Sequence, residues 1–166
     1  MSIVGIVASE RQSNLIKKQV EEQNFKIEII PINYKSVENI KNIKFEILVI
    51  QDSLEKLKEK QNLIIEIVNN AKYLLLNTDT KINEEILKDI SATILTYGLK
   101  QKATITVSGI EENQVIISVQ RAFKNLKGKL IEQQEIPVKL IKKGTKDLYN
   151  SLIKTAIINI CTLENR

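Results

Sequence analysis

The sequence contains no histidine, no tryptophan and a single cysteine among its 166 residues. Without histidine, neither the usual zinc ligand sets nor a Ser–His–Asp or Cys–His arrangement can be assembled. The lone Cys161 cannot form an internal disulfide, and its apolar neighbours Ile157, Ile158 and Ile160 predict a buried, inert thiol. We therefore expect no catalytic residue of these kinds, no metal site and no cofactor.

Long apolar runs are missing as well. No stretch approaches the roughly 20 apolar residues of a membrane span, and the first six residues lack the basic start and the small-residue cleavage site of a signal peptide. The composition, with 43% hydrophobic and 27% charged residues, is that of an ordinary globular protein. We expect a cytoplasmic protein that forms one domain over residues 1–166 and does not bind a membrane.

Positive charge is in excess, with a net charge of +5 and a pI of about 9.2. Such a balance is compatible with nucleic-acid binding. The lysines are scattered along the chain, however, and the densest basic stretch, residues 124–146, has only Phe123 and Tyr149 as aromatic neighbours. Because single-stranded nucleic acids bind on aromatic platforms, we expect a solvated lysine face and regard nucleic acid as the less favoured partner.

The first hundred residues alternate apolar strands with helices. The opening apolar run ends before Ser9, and Ser9 with Gln12 three residues later has the form of a capping box at a helix start. Most of the strands are continuous apolar runs, which are typical of a sheet that is covered on both faces. The predicted strands lie at residues 3–7, 26–32 (an edge strand that contains Pro31), 45–50, 73–76 and 93–96. This alternation predicts a parallel sheet with crossover helices.

The pattern changes after Gly98, where short segments that alternate with period two predict an antiparallel meander. These segments are residues 103–108, 115–120, 129–133 and 136–141. Thr145 is the expected N-cap of a closing helix. The sequence thus predicts an α/β fold with three layers, in which a mainly parallel sheet flanked by helices carries an antiparallel extension. The predicted portions are residues 1–100 (parallel), 101–143 (antiparallel) and 144–163 (closing helix).

Four segments of the chain occur in an order that is found in a known enzyme family. They are Val4-Gly5-Ile6 with the loop after it, the strand that ends in Gln51-Asp52-Ser53, Asn77-Thr78-Asp79 with Tyr97-Gly98, and Gly144-Thr145-Lys146-Asp147 with Asn150. In order, they resemble the phosphate-loop strand, the strand of the magnesium-binding glutamate, the segment after the carbamylated-lysine region and the opening of the last helix in the central, ATP-binding domain of the Mur ligases. These enzymes form amide bonds in bacterial peptidoglycan precursor synthesis.

The first of these segments departs from the family at the phosphate loop. Ala8 and Arg11 stand where the resemblance implies glycines, whose backbone N–H groups wrap the phosphates. Gln12 stands where it implies the lysine that neutralises phosphate charge. Only Ser9 and Ser13 keep hydroxyl groups. The loop therefore lacks the residues that a nucleotide phosphate site requires.

The other segments depart from the family as well. Gln51, a neutral amide, takes the place of the magnesium-binding glutamate. Lys146 and Asp147 replace a histidine and an asparagine, and Asn150 alone matches. Since phosphoryl transfer depends on charge neutralisation by lysine and magnesium, the resemblance implies a degenerate, stand-alone copy of the domain that does not catalyse ligation.

Two carboxylates, Asp52 and Asp79, each follow the end of a predicted strand. If the two strands are neighbours, both carboxylates face one crevice; in the alternative interpretation, each caps the turn or helix that follows. The candidate remnants of a cofactor-binding site are Ser9, Arg11, Gln12, Ser13, Asp52 and Asn150.

These observations lead to two functional hypotheses. The first is a non-catalytic, Mur-ligase-like protein that acts as a protein-interaction or regulatory module linked to cell-wall metabolism. Its partner would be another protein or, through the β-rich edge, a second copy of the chain. The alternative is a low-affinity sensor of a nucleotide or another anion, bound by Ser9, Arg11 and Ser13 at the helix N-terminus, with Asn150 reaching the base.

Overall fold

The computed structural model describes residues 1–23, 25–33, 35–52, 59–81, 84–140, 142 and 144–161. The strands, in chain order, are β1 (Ser2–Val7), β2 (Ile27–Ile32), β3 (Ile47–Ile50), β4 (Tyr73–Asn77), β5 (Thr93–Tyr97), β6 (Ile105–Ile110), β7 (Gln114–Val119), β8 (Phe123–Lys124), β9 (Leu130–Ile131) and β10 (Gln134–Lys139). The helices are α1 (Glu10–Glu21), α2 (Gln61–Asn69), α3 (Glu84–Leu87) and α4 (Thr145–Cys161), with a 3-10 turn at Val37–Ile40. Ser53 and residues 141, 143, 162 and 163, on which parts of the sequence predictions fall, lie outside the described residues.

Eight strands form one sheet in the order β10-β7-β6-β5-β4-β3-β1-β2, and β8 and β9 form a separate hairpin. The pairs β1–β2, β1–β3, β3–β4 and β5–β6 are parallel, whereas β6–β7 and β7–β10 are antiparallel. The predicted α/β class, with a mostly parallel sheet, flanking helices and antiparallel strands in the second half, is confirmed. None of the helices in the described part of the chain combines the length and the hydropathy of a membrane span.

The chain divides into two compact units, Met1–Leu95 and Thr96–Arg166, with the boundary inside β5. In the first unit, the central strands are buried on both faces, as their continuous apolar runs predict. On one face, side chains of β3 and β4 pack against α2. This cluster includes Leu48 and Ile50 of β3, Leu74 and Leu76 of β4, and Ile64, Ile67 and Val68 of α2. Side chains alternate between the faces of a strand, so Val4 and Ile6, which are fully buried, occupy the other face.

Gly5 provides space rather than conformational freedom. It lies in the middle of β1, between β2 and β3. A Cβ atom at this position would come within 2.7 Å of Ile32 Cδ1, 2.9 Å of Leu48 Cδ1 and 2.9 Å of Phe45 Cε1. These distances are far below the ~3.5–4.0 Å of a favourable carbon–carbon contact. The glycine therefore lets three buried side chains meet over β1.

In the second unit, α4 contacts β6 and β7. No residue of α4 from Asp147 to Cys161 is exposed. Its fully buried apolar residues are Leu152, Ile153, Ala156, Ile157 and Ile160, and the remaining side chains of this stretch are at least partly covered. At its C-terminal end, the carbonyl of Ile160 accepts a hydrogen bond from the N–H of Leu126 at 2.9 Å. This bond joins α4 to the loop between β8 and β9.

The two prolines of the chain occupy the two edge strands of the sheet, β2 and β10. In β10, the N–H of Leu140 donates to the carbonyl of Asn113 just beyond the β7 ladder. Because backbone groups alternate sides along a strand, the position of the missing N–H of Pro137 faces outward. The bond from Ser2 N–H to Lys26 O places Pro31 of β2 in the same way. Each edge therefore lacks a donor where an added strand would need one.

Candidate functional site

The ends of three parallel strands of the first unit, β1, β3 and β4, are joined by hydrogen bonds. The N–H of Gln51, just after β3, donates to the carbonyl of Val7 at the end of β1, at 3.0 Å. The side-chain amide of Asn77, at the end of β4, donates to the carbonyl of Gln51 at 3.3 Å. Ligands of open parallel sheets collect at this edge, which we call the carboxyl edge and define by Val7–Ser9, Gln51, Asp52 and Asn77–Asp79.

The connection from β1 to α1 consists of two residues, Ala8 and Ser9. The side chain of Ser9 accepts a hydrogen bond from the N–H of Gln12 at 3.3 Å, so Ser9 is the N-cap of α1. This confirms the serine half of the predicted capping box. The N–H of Ser13 donates to the carbonyl of Ser9, which is the first bond of the helix ladder. A connection of two residues contributes few backbone N–H groups of its own for binding a phosphate.

The hydroxyl and cationic groups around the start of α1 do not share one surface. Ser9 and Arg11 are exposed, whereas Ser13 has 0% exposure. Ser13 Oγ has no hydrogen-bond partner among the described residues. Ser13, Ile16 and Val20 are the buried residues of α1, and their spacing of three and four places them on one helix face. The serine therefore belongs to the packed side of the helix and not to its open end.

Asn77 organises the end of β4. It is 2% exposed, and its side-chain oxygen accepts the N–H of Asp79 at 2.9 Å while its carbonyl accepts the hydroxyl of Thr80 at 3.0 Å. These bonds form a tight turn of the kind that asparagine favours. Sequence reasoning missed this role, although an asparagine between an apolar strand and the polar residues Thr78 and Asp79 is the signal for such a turn.

Asp52 and Asp79 follow neighbouring strands, because β3 and β4 are paired in parallel with Ile50 opposite Leu76. The sequence analysis expected the two carboxylates to face one crevice if their strands are neighbours, and the two strands are neighbours. Both side chains are half-buried. Among the described residues, no three acidic or cysteine side chains come together in a group that could hold a metal ion. Asn150, the remaining candidate, belongs to the second unit, where it is a buried residue of α4.

Tyr73 lies at the start of β4, at the end of the strand opposite Asn77. Burial raises the pKa of its phenol above the ordinary value, because the charged phenolate is poorly solvated in the interior. This perturbation is at the far side of the sheet from the carboxyl edge, so it bears on stability and not on the candidate site.

Comparison with models of known protein families and with curated proteins gives no match for this sequence. The fold and the carboxyl edge define an α/β protein with a mostly parallel sheet. Its relationship to the Mur ligases therefore depends on the four sequence segments and their order, and stays a prediction.

Proposed function

We propose that this chain is a non-catalytic, Mur-ligase-like protein that acts by binding another protein, as an interaction or regulatory module linked to cell-wall metabolism. The observation that carries the proposal is the two-residue connection between β1 and α1. The hydroxyl of Ser9 accepts a hydrogen bond from the N–H of Gln12, and Ala8 is buried. Little backbone remains that could bind the phosphates of a nucleotide.

The side chains at the carboxyl edge support the same proposal. Phosphoryl transfer requires positive charge on the phosphates and a metal ion that is held by carboxylates. Gln12 and Gln51 are neutral at the two positions where the resemblance implies lysine and glutamate. The amide of Asn77 bonds to the carbonyl of Gln51, so protein groups already satisfy one another where a ligand would need them.

The proposal favours another protein over a second copy of the chain. Both edge strands of the sheet present a proline on their outer side, at Pro31 and Pro137. An additional strand would lose a backbone hydrogen bond at each of these positions. A partner is therefore expected to bind side chains rather than to extend the sheet.

A second candidate function is a low-affinity sensor of a nucleotide or another anion. What favours it is the exposure of Ser9 and Arg11 at the start of α1. The dipole of a twelve-residue helix attracts negative charge to this end. In this function, Arg11 would supply the charge that a lysine supplies in a phosphate loop, without the magnesium that turnover needs.

The test combines turnover with binding. Purified protein is incubated with ATP and magnesium, and phosphate release is followed; thermal unfolding is then measured with ATP, ADP, uridine nucleotides and phosphate. We expect neither phosphate release nor a shift in Tm. Magnesium-dependent turnover would overturn the proposal. Lys18 and Lys26, which are also exposed, provide the controls. A Tm shift without turnover that is abolished by Arg11→Ala, but not by Lys18→Ala or Lys26→Ala, would favour the sensor.

The partner is tested separately. Chemical cross-linking in cells, followed by mass spectrometry, identifies candidates, and each is then purified and titrated against this chain. A partner that rebinds as a pure protein with defined stoichiometry supports the interaction module. If purified candidates do not rebind and the chain is monomeric at all concentrations, the interaction proposal fails.

A further inference from the structure

The excess of positive over negative charge is confined to the second unit. Residues 1–95 contain 13 Lys and Arg against 14 Asp and Glu, a net charge of −1, whereas residues 96–166 contain 12 against 6, a net charge of +6. The scattered lysines of the sequence are thus balanced by carboxylates in the first unit and unbalanced in the second. An unbalanced unit attracts acidic partners.

Within the second unit, the excess is concentrated around the β8–β9 hairpin. We call residues 121–131 the basic hairpin. It carries four exposed cations, Arg121, Lys124, Lys127 and Lys129. No carboxylate occurs between residues 113 and 131, and Glu132 is the first that follows. The hairpin thus carries four like charges within nine residues, with one carboxylate next to it in the sequence.

The basic hairpin has one buried and one open face. Phe123 is paired with Ile131, and each is 8% exposed. Lys124 is paired with Leu130, which is 52% exposed. Since successive side chains point to opposite faces of a strand, Lys124 and Leu130 share the outer face. The open face therefore combines the exposed apolar side chain of Leu130 with the cation of Lys124.

Hydrogen bonds hold this hairpin in one shape. The side-chain oxygen of Asn125 accepts the N–H groups of Lys127 and Lys129, both at 2.9 Å. Gly128, whose φ of 78° lies in the left-handed region, donates its N–H to the carbonyl of Asn125. The bond from Leu126 to α4 fixes the tip. A surface that is ordered before binding loses little conformational entropy when a partner binds.

We propose that the basic hairpin binds an acidic, partly apolar segment of a partner protein, in which carboxylates meet the lysines and an apolar side chain covers Leu130. This inference rests on the proposed function and names its binding surface. The cations could instead stabilise α4 by interacting with the C-terminal end of its dipole. This alternative accounts for the hairpin less well than partner binding, because the effect is worth only about 0.3–1 kcal/mol and is limited to the last turn. It does not require four cations or an exposed leucine.

The alternatives of a nucleic acid and a lipid surface fit less well. Phe123 is buried, so the hairpin offers no aromatic platform for bases. A phosphate backbone would leave Leu130 uncovered. An anionic lipid surface attracts each cation by only about 1 kcal/mol, so four cations with a single exposed apolar side chain would be held weakly. A protein segment with alternating acidic and apolar residues satisfies both parts of the open face.

The test uses a fluorescent peptide of alternating glutamate and leucine, with single-stranded DNA and phosphatidylserine vesicles as the competing probes. The hairpin variant combines Lys124→Glu, Lys127→Glu and Lys129→Glu. The matched control carries the same reversal at three exposed lysines elsewhere in the second unit, Lys100, Lys102 and Lys142. Circular dichroism and Tm measurements are used to check that each variant is folded.

We expect the peptide to bind at low salt and the hairpin variant to lose about tenfold or more in affinity, with less than about twofold loss in the control. Leu130→Ser should lower the affinity for the peptide and leave any residual binding of DNA unchanged. The inference would be overturned if the peptide did not bind, or if both triple variants lost the same affinity for it. It would also be overturned if DNA or vesicles bound more tightly than the peptide and the hairpin variant lost that binding. Magnesium-dependent ATP turnover would end the proposed function but would not alter the peptide result, so the two failures are distinguishable.

Discussion

Gly5→Ala tests the packing of the first unit at its tightest point. The added Cβ would meet the ends of Ile32, Leu48 and Phe45 at 2.7–2.9 Å. The backbone of β1 cannot retreat without loosening its ladders with β2 and β3, so the three side chains must move. A cavity of about 10 Å³, lined in part by Ile32 and Leu48, absorbs some of this movement. The ring of Phe45 does not line this cavity.

The magnitude follows from two opposing effects. Overpacking a close-packed core costs about 1–3 kcal/mol. Replacing glycine by alanine also restricts the unfolded chain, which recovers about 0.4–1 kcal/mol. We therefore expect Gly5→Ala to lower the free energy of unfolding by about 1–2 kcal/mol, as measured by urea denaturation monitored by circular dichroism.

A second substitution isolates the cause. Ile32→Val removes the Cδ1 atom that makes the shortest contact and should by itself cost about 0.5–1.5 kcal/mol. In the double variant, the cost of Gly5→Ala should be smaller, because one of the three close contacts is gone while those with Leu48 and Phe45 remain. A neutral or stabilising Gly5→Ala, or strictly additive losses in the double variant, would refute the assignment of Gly5 as a space-providing residue.

Three further predictions concern other parts of the chain. Asn125→Ala should lower the free energy of unfolding by about 1–3 kcal/mol in urea denaturation, because the buried amide oxygen that accepts two backbone N–H groups of the basic hairpin is lost; an unchanged midpoint would contradict this. Pro137→Val should give self-association by sedimentation velocity where wild type shows none, since it restores an outward N–H on the edge of β10. Tyr73 should stabilise the fold fully below the ordinary phenol pKa of about 10 and lose this contribution as pH rises towards its raised folded pKa. Alkaline unfolding of Tyr73→Phe should accordingly start at higher pH than that of wild type.

Features that depend on neighbouring residues could be predicted from the sequence. Ser9 and Gln12 mark the start of α1 because an N-cap needs only a hydroxyl and the N–H three residues away. The apolar runs at 45–50 and 73–76 locate β3 and β4 because burial on both faces excludes polar residues from the strand. Their parallel pairing follows from the intervening helix.

Features that depend on tertiary packing could not be predicted in this way. The period-two pattern at 129–133 predicts a strand of the antiparallel meander, yet β9 pairs with β8 in a separate hairpin. Alternation specifies which face is buried but not which strand is the neighbour. The hydrogen bond from Asn77 to Gln51 likewise requires β3 and β4 to be adjacent.

For the candidate site, the type of a residue and its position in a helix led to different predictions about whether it is available to a ligand. Ser13 keeps the hydroxyl that the resemblance implies, but its spacing from Ile16 and Val20 places it on the buried face of α1. The same spacing relates Asn150 to Ile153 and Ile157, which are all buried in α4. Helical periodicity, applied to these polar residues as well as to the apolar ones, would have predicted their burial.

The most direct test of the central claim is the backbone amide spectrum of the isotope-labelled protein, recorded with and without millimolar magnesium ATP. We expect the amide signals of Ala8, Ser9 and the first turn of α1 not to move, because the two-residue connection leaves little backbone for binding phosphates. Saturable, magnesium-dependent shifts confined to these amides would contradict it and would show that the carboxyl edge binds nucleotide.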